Sequence, residues 1–120
     1  MKSYTDIEQS KKLAEILPIE SADMYYVGES KIPDVMYGCK QDYRCYTMCW
    51  SLAALLDIFP CTKESPIVNL TRGGWNPSFT RYWFATWEDE DKNIFYSCDG
   101  TSPVDAVVDL ILKLYEQKLL

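Results

Sequence analysis

The sequence predicts an α+β domain, a small antiparallel sheet packed against three helices. Three observations lead to it. A breaker-free apolar stripe with a clear N-cap closes the chain, two runs of aromatic and β-branched residues flank an acidic stretch, and an amphipathic segment stopped by proline opens it. At 120 residues, 48 % hydrophobic and 14 % aromatic, the chain fits a single domain over residues 1–120 that buries a core without metal or disulfide staples.

The first helix is expected at about 5–17. Thr5 and Glu8 have capping-box spacing, Ile7, Leu13, Ala14, Ile16 and Leu17 form one face, and Pro18 ends it. Met24 to Val27 supplies a short strand. Residues 28–46, with Gly28, Pro33 and Gly38, read as a long loop. The second helix is expected at about 47–59, apolar apart from Thr47, Ser51 and Asp57, and therefore buried on most sides. Ile67 to Thr71 suits either a strand or a short helix, and Arg72-Gly73-Gly74-Trp75 reads as a turn carrying an aromatic.

A hairpin at about 80–98 supplies the main sheet. Thr80 to Trp87 and Asn93 to Cys98 are the strands, and Glu88 to Lys92 is a solvated tip. Alternation places Arg81, Trp83, Ala85 and Trp87 on one face and Tyr82, Phe84 and Thr86 on the other. Asp99-Gly100 reads as a turn. The third helix, at about 102–119, has Ser102 as N-cap, Pro103 at its first position and Asp105 at its third. Asp105, Asp109, Lys113 and Glu116 form a narrow polar stripe. The wide apolar remainder calls for more than one packing neighbour, inside the domain or across a dimer.

Charge and cysteine content bound the function. Twelve Lys and Arg against eighteen Asp and Glu leave a net charge of −6, which disfavours direct nucleic-acid binding and attraction to an anionic membrane. Neither a signal-peptide core nor a spanning run is visible, so a cytoplasmic location is expected. Cys39, Cys45, Cys49, Cys61 and Cys98 are odd in number and read as reduced thiols. The C-x5-C-x3-C-x11-C spacing of the first four lacks the close pairs of a zinc knuckle. No metal and no cofactor are expected.

The segment from Gln41 to Ser51 resembles the nucleophile region of papain-type thiol hydrolases, where a Gln precedes a Cys-Trp pair at a helix start. Here Gln41 lies eight residues before Cys49, and the chain contains no histidine to serve as base. Cys49 and Trp50 are therefore expected in the core, and no catalytic residue is assigned. What exceeds background is aromatic density. Trp75, Tyr82, Trp83 and Trp87 either fill the layer between sheet and helices or form an exposed patch rimmed by Arg72, Arg81 and the acidic tip at Glu88 and Asp89.

Three stretches, Tyr4–Met24 (YTDIEQSKKLAEILPIESADM), Cys49–Pro60 (CWSLAALLDIFP) and Ser102–Leu120 (SPVDAVVDLILKLYEQKLL), cover nearly half the chain. They resemble a family of small uncharacterised proteins of Bacteroides-type gut bacteria and their prophages and mobile elements. The resemblance implies an intracellular accessory protein and assigns no activity to any position. The expected function is a non-enzymatic protein-interaction module with a protein partner or a second copy of the chain. The alternative is a small enzyme using carboxylate or thiol chemistry.

Overall fold

The computed structural model describes residues 2–36, 46–59, 67–75, 81–88 and 94–118, with residues 67, 73–75, 81–82 and 94–95 described by backbone alone. Among these residues the architecture is α+β, with two antiparallel sheets of three strands and three α-helices in place of the single sheet expected.

Helix α1, Ile7–Ala14, is shorter at both ends than the 5–17 predicted, and its N-cap falls one residue later. Its N-cap is Asp6, whose carboxylate accepts from Gln9 N at 2.8 Å while the Gln9 side chain accepts from Asp6 N at 3.1 Å, a complete capping box. Thr5 is not available for this task. It is fully buried, and its hydroxyl bonds Ser10 Oγ at 2.7 Å. The helix closes at Glu15, and bonds from Ile16 N and Leu17 N to Leu13 O carry the chain to Pro18 and a single 3₁₀ turn at Ile19–Ser21.

The first sheet has the order β2-β1-β3, from β1 (Met24–Tyr26), β2 (Asp34–Val35) and β3 (Thr47–Cys49). Strand β1 is as expected, but β3 corrects the second helix. Thr47, Met48 and Cys49 pair antiparallel with Tyr26, Tyr25 and Met24, and the helix α2 spans only Leu52–Leu56. The chain turns helical where Ser51 Oγ accepts from Ala54 N at 3.2 Å, and Asp23 holds that cap by accepting from Ser51 N at 2.9 Å and from its hydroxyl. Nor is α2 buried all round. Leu55 is fully buried and Leu56 is exposed.

The second sheet is a meander, β4-β5-β6, from β4 (Ile67–Trp75), β5 (Arg81–Glu88) and β6 (Ile94–Gly100). The predicted hairpin strands are β5 and β6. The ambiguous Ile67–Thr71 segment is strand, and the Arg72–Trp75 stretch read as a turn continues it, with a register shift between Arg72 and Trp75 that suits its two glycines. Asp99-Gly100 is likewise strand, opposite Phe84 and Trp83, and not a turn. A Cβ at Gly100 would lie 2.7 Å from Ala106 N and 2.8 Å from Asp105 Cβ, so glycine lets the sheet approach the next helix closely.

That helix, α3, runs Pro103–Glu116. Ser102 caps it by accepting from Asp105 N at 3.1 Å, with Pro103 in the first turn. Its apolar arc packs on β5, β6 and α2, which meets the need for several neighbours within the chain. Val104, Ala106, Val107, Leu110, Ile111 and Leu114 are fully buried, and with Leu13, Trp50, Leu55, Ala85 and Trp87 they form one core.

Candidate binding site

The N-terminal segment folds back as a strap over the first sheet. Tyr4 bridges antiparallel to Ser51, Thr5 N donates to Trp50 O at 2.9 Å, and Leu52 N donates to Ser3 O at 3.1 Å. Beneath it lies a closed polar knot. The Tyr26 hydroxyl donates to Thr5 O at 2.7 Å, Trp50 N donates to Thr5 Oγ1 at 3.1 Å, and Cys49 Sγ donates to Thr5 O at 3.4 Å. Each of these buried groups has a partner, as burial requires. Burial, reinforced by the nearby Cys49, raises the Tyr26 phenol above its ordinary value.

The strap is also tied to α3. Lys2 Nζ donates to Asp105 Oδ1 at 2.7 Å and to Asp6 Oδ2 at 3.1 Å, Gln9 Nε2 donates to the same Asp105 oxygen at 2.8 Å, and Thr101 Oγ1 donates to the other at 3.2 Å. Partial burial works against the Asp105 charge, but Lys2 and Gln9 outweigh it and hold the carboxyl below its usual range. Burial opposes the Lys2 charge too, and the two carboxylates outweigh it to raise the ammonium's pKa.

Strap, α1 and β1 together wall a solvent-open cleft of about 540 Å³. Tyr4, Ile7 and Tyr26 give it an apolar lining, and Lys2, Asp6, Glu8 and Lys31 are its charged members. Lys2 and Asp6 are paired with each other. The ion pairs among the described residues are Lys2–Asp6 and Lys2–Asp105, so Glu8 and Lys31 bring charges of opposite sign without an ion-pair partner there. A second cleft, of about 520 Å³, lies between the far end of α1 and β3 and is lined by Leu17, Ile19, Tyr46, Met48 and Trp50 with Lys11 and Glu15.

The surface expected from the aromatic hairpin is organised differently. Trp87 is buried and Trp83 is half-buried against the core, so these two fill the layer under α3. Glu88, expected at a solvated tip, is only 8 % exposed. It lies on the opposite face of the sheet with Asn69 and Thr86, and both side chains hydrogen-bond its carboxylate. Neither Trp87 nor Glu88 therefore belongs to an exposed patch. Arg72 is exposed within β4, paired with Trp83. Trp75, Arg81 and Tyr82 are placed by backbone alone, with Trp75 paired to Arg81, and Asp89 lies outside the described residues. Among the β5 side chains described, Phe84 is the exposed one.

Two of the five cysteines are described, and both are free thiols. Cys49 stands two residues before the α2 cap, in a strand and fully buried, and burial pushes its pKa up against the hydrogen bonds that favour its thiolate. Burial raises the Cys98 thiol as well. Cys39, Cys45 and Cys61, and with them the zinc spacing, lie outside the described residues, as does Gln41 of the papain-like segment. Among the described residues no cluster of side chains suits a metal ion, and no helix is long and apolar enough to cross a membrane. Sequence reasoning missed both clefts. The one available signal was Tyr4 and Ile7 beside the start of α1, which reads as ordinary helix-start chemistry. No family model, curated protein or solved structure matches the chain.

Proposed function

We propose that the chain is a protein-interaction module that takes an apolar anchor side chain of its partner in the cleft between the strap, α1 and β1. The observation that carries this reading is the cleft itself, with Tyr4, Ile7 and Tyr26 as its apolar lining and, beside them, the charges of Lys31 and Glu8, which have no ion-pair partner among the described residues. Such a site rewards one buried side chain and selects its neighbours by charge. Burying a single Leu, Ile or Phe contributes about 1.5–3 kcal/mol, which suits a transient contact.

The carboxylates near the cleft support binding over acid–base chemistry. Asp6 and Asp105 are held ionised by Lys2, and Asp23 is occupied with the α2 cap. The reading keeps the cytoplasmic location expected from the sequence, with Cys49 as a reduced thiol. This thiol donates a hydrogen bond inside the core, a role that requires it to be reduced.

Panning the folded protein against a displayed random-peptide library tests the reading. Enriched peptides should share an apolar anchor and lose binding to an Ile7→Asp variant whose circular dichroism matches the parent. Peptides that bind the variant equally well, or a library that yields none, would refute it.

A further inference from the structure

We infer that this cleft also receives Ile32 of a second copy of the chain, in a reciprocal two-fold pair. The inference rests on the reading of the cleft as an anchor site and names an occupant for it.

Ile32 is the most exposed large hydrophobic side chain among the described residues, at 73 %. It is held there by local structure. Gly28, with φ of +55°, opens a turn closed by Ser30 N donating to Val27 O at 3.0 Å. The Ser30 hydroxyl then accepts from Ile32 N at 3.3 Å and donates to Ile32 O at 3.0 Å, while the following Pro33 is buried. An aliphatic knob fixed on both sides loses little conformational freedom when it docks.

Position and charge select a second copy as its partner. Lys31, the residue before the knob, itself lines the cleft, so knob and cleft adjoin on one face of the molecule. A two-fold contact needs this arrangement, because the same patch must supply both halves. When Ile32 enters the opposite cleft it carries Lys31 toward the partner's acidic members, where Glu8 has no ion-pair partner among the described residues. Symmetry makes that pairing twice. A charge of −6 on each chain opposes association overall, so the dimer is weak and concentration-dependent.

Sedimentation velocity on the full chain over a concentration series tests this. The wild type should show a monomer–dimer equilibrium, and Ile32→Asp should raise its dissociation constant about tenfold or more. Lys31→Glu and Glu8→Lys should each weaken it, and mixing those two variants should restore association, since only the mixed pair places opposite charges at both contacts. A wild type that stays monomeric at every concentration overturns the inference, as does a dimer indifferent to Ile32→Asp or a mixture no better than its components. A monomeric wild type that still selects peptides sensitive to Ile7→Asp removes the second copy as occupant and leaves the anchor cleft standing.

Discussion

Replacing Asp105 with Asn tests whether one carboxylate locks the N-terminal strap to α3. The wild-type side chain accepts from Lys2 at 2.7 Å, Gln9 at 2.8 Å and Thr101 at 3.2 Å. It also places a negative charge in the first turn of a 14-residue helix. Hydrogen bonds to charged groups contribute about 1.5–3 kcal/mol, and a carboxylate at a helix N-terminus roughly 0.3–1 kcal/mol. The Lys2 and Asp105 side chains are 26 % and 25 % exposed, so water screens part of this. The amide retains some of the hydrogen bonding, which leaves a loss of about 2 kcal/mol. For a domain of this length that is a fall in Tm of roughly 6–10 °C, measured by circular dichroism at neutral pH.

The pH dependence gives a sharper test. The Asp105 pKa is depressed in the folded state, so its contribution is present above the unfolded value near 3.8 and is lost as pH falls through the folded value. The Lys2 pKa is raised, so its contribution is present below 10.5 and is lost as pH rises through the folded value. The stability difference between wild type and Asp105→Asn should therefore be flat from about pH 5 to pH 9 and shrink beyond either end. A loss under about 2 °C at neutral pH, or a difference that persists undiminished at about pH 2, would show that the carboxylate does not act through its charge.

Two further outcomes follow from the same region and the core. Gly100→Ala should destabilise the fold by about 1–3 kcal/mol, measured by urea denaturation, because the added methyl meets the backbone of α3 and cannot turn away; an unchanged midpoint would mean that sheet and helix separate freely. In native protein at neutral pH, iodoacetamide should leave Cys49 unmodified, with labelling rising only as urea unfolds the chain. Peptide mapping that finds Cys49 labelled ahead of Cys98 in the native state contradicts the buried-thiol assignment.

Elements whose signals are local were legible in the sequence. Ser102-Pro103 with Asp105 defines the start of α3 through chemistry confined to four residues, and the structure has that start. The hairpin strands follow from their aromatic and β-branched content, and alternation places Trp83, Ala85 and Trp87 on one face, which in the structure is the α3 side. Elements decided at long range were misread. Thr47 to Cys49 is apolar enough for a buried helix or a buried strand, and the outcome rests on pairing with Met24–Tyr26, more than twenty positions earlier. The displaced capping box has the same origin. Thr5 is a competent N-cap by type, but Trp50 and Cys49 draw it into the core and Asp6 takes the role.

The site was hidden for a different reason. Aromatic density pointed to the hairpin as an interaction surface, yet a three-stranded sheet covered by one helix has a narrow contact face and needs wide side chains to seal it. Trp83 and Trp87 flank the small Ala85 and pack toward the valines and alanine of α3, so these two indoles are absorbed by the fold. Ile32 sits in a polar stretch with no period and no aromatic neighbour, where sequence patterns assign it no role. Its significance comes from geometry. Ser30 and Pro33 fix it outward, and Lys31 beside it borders the cleft walled by Tyr4, Ile7 and Tyr26. In the proposed dimer a rigid knob meets an open socket, and such a contact is read from geometry rather than residue type because binding rewards what is pre-organised.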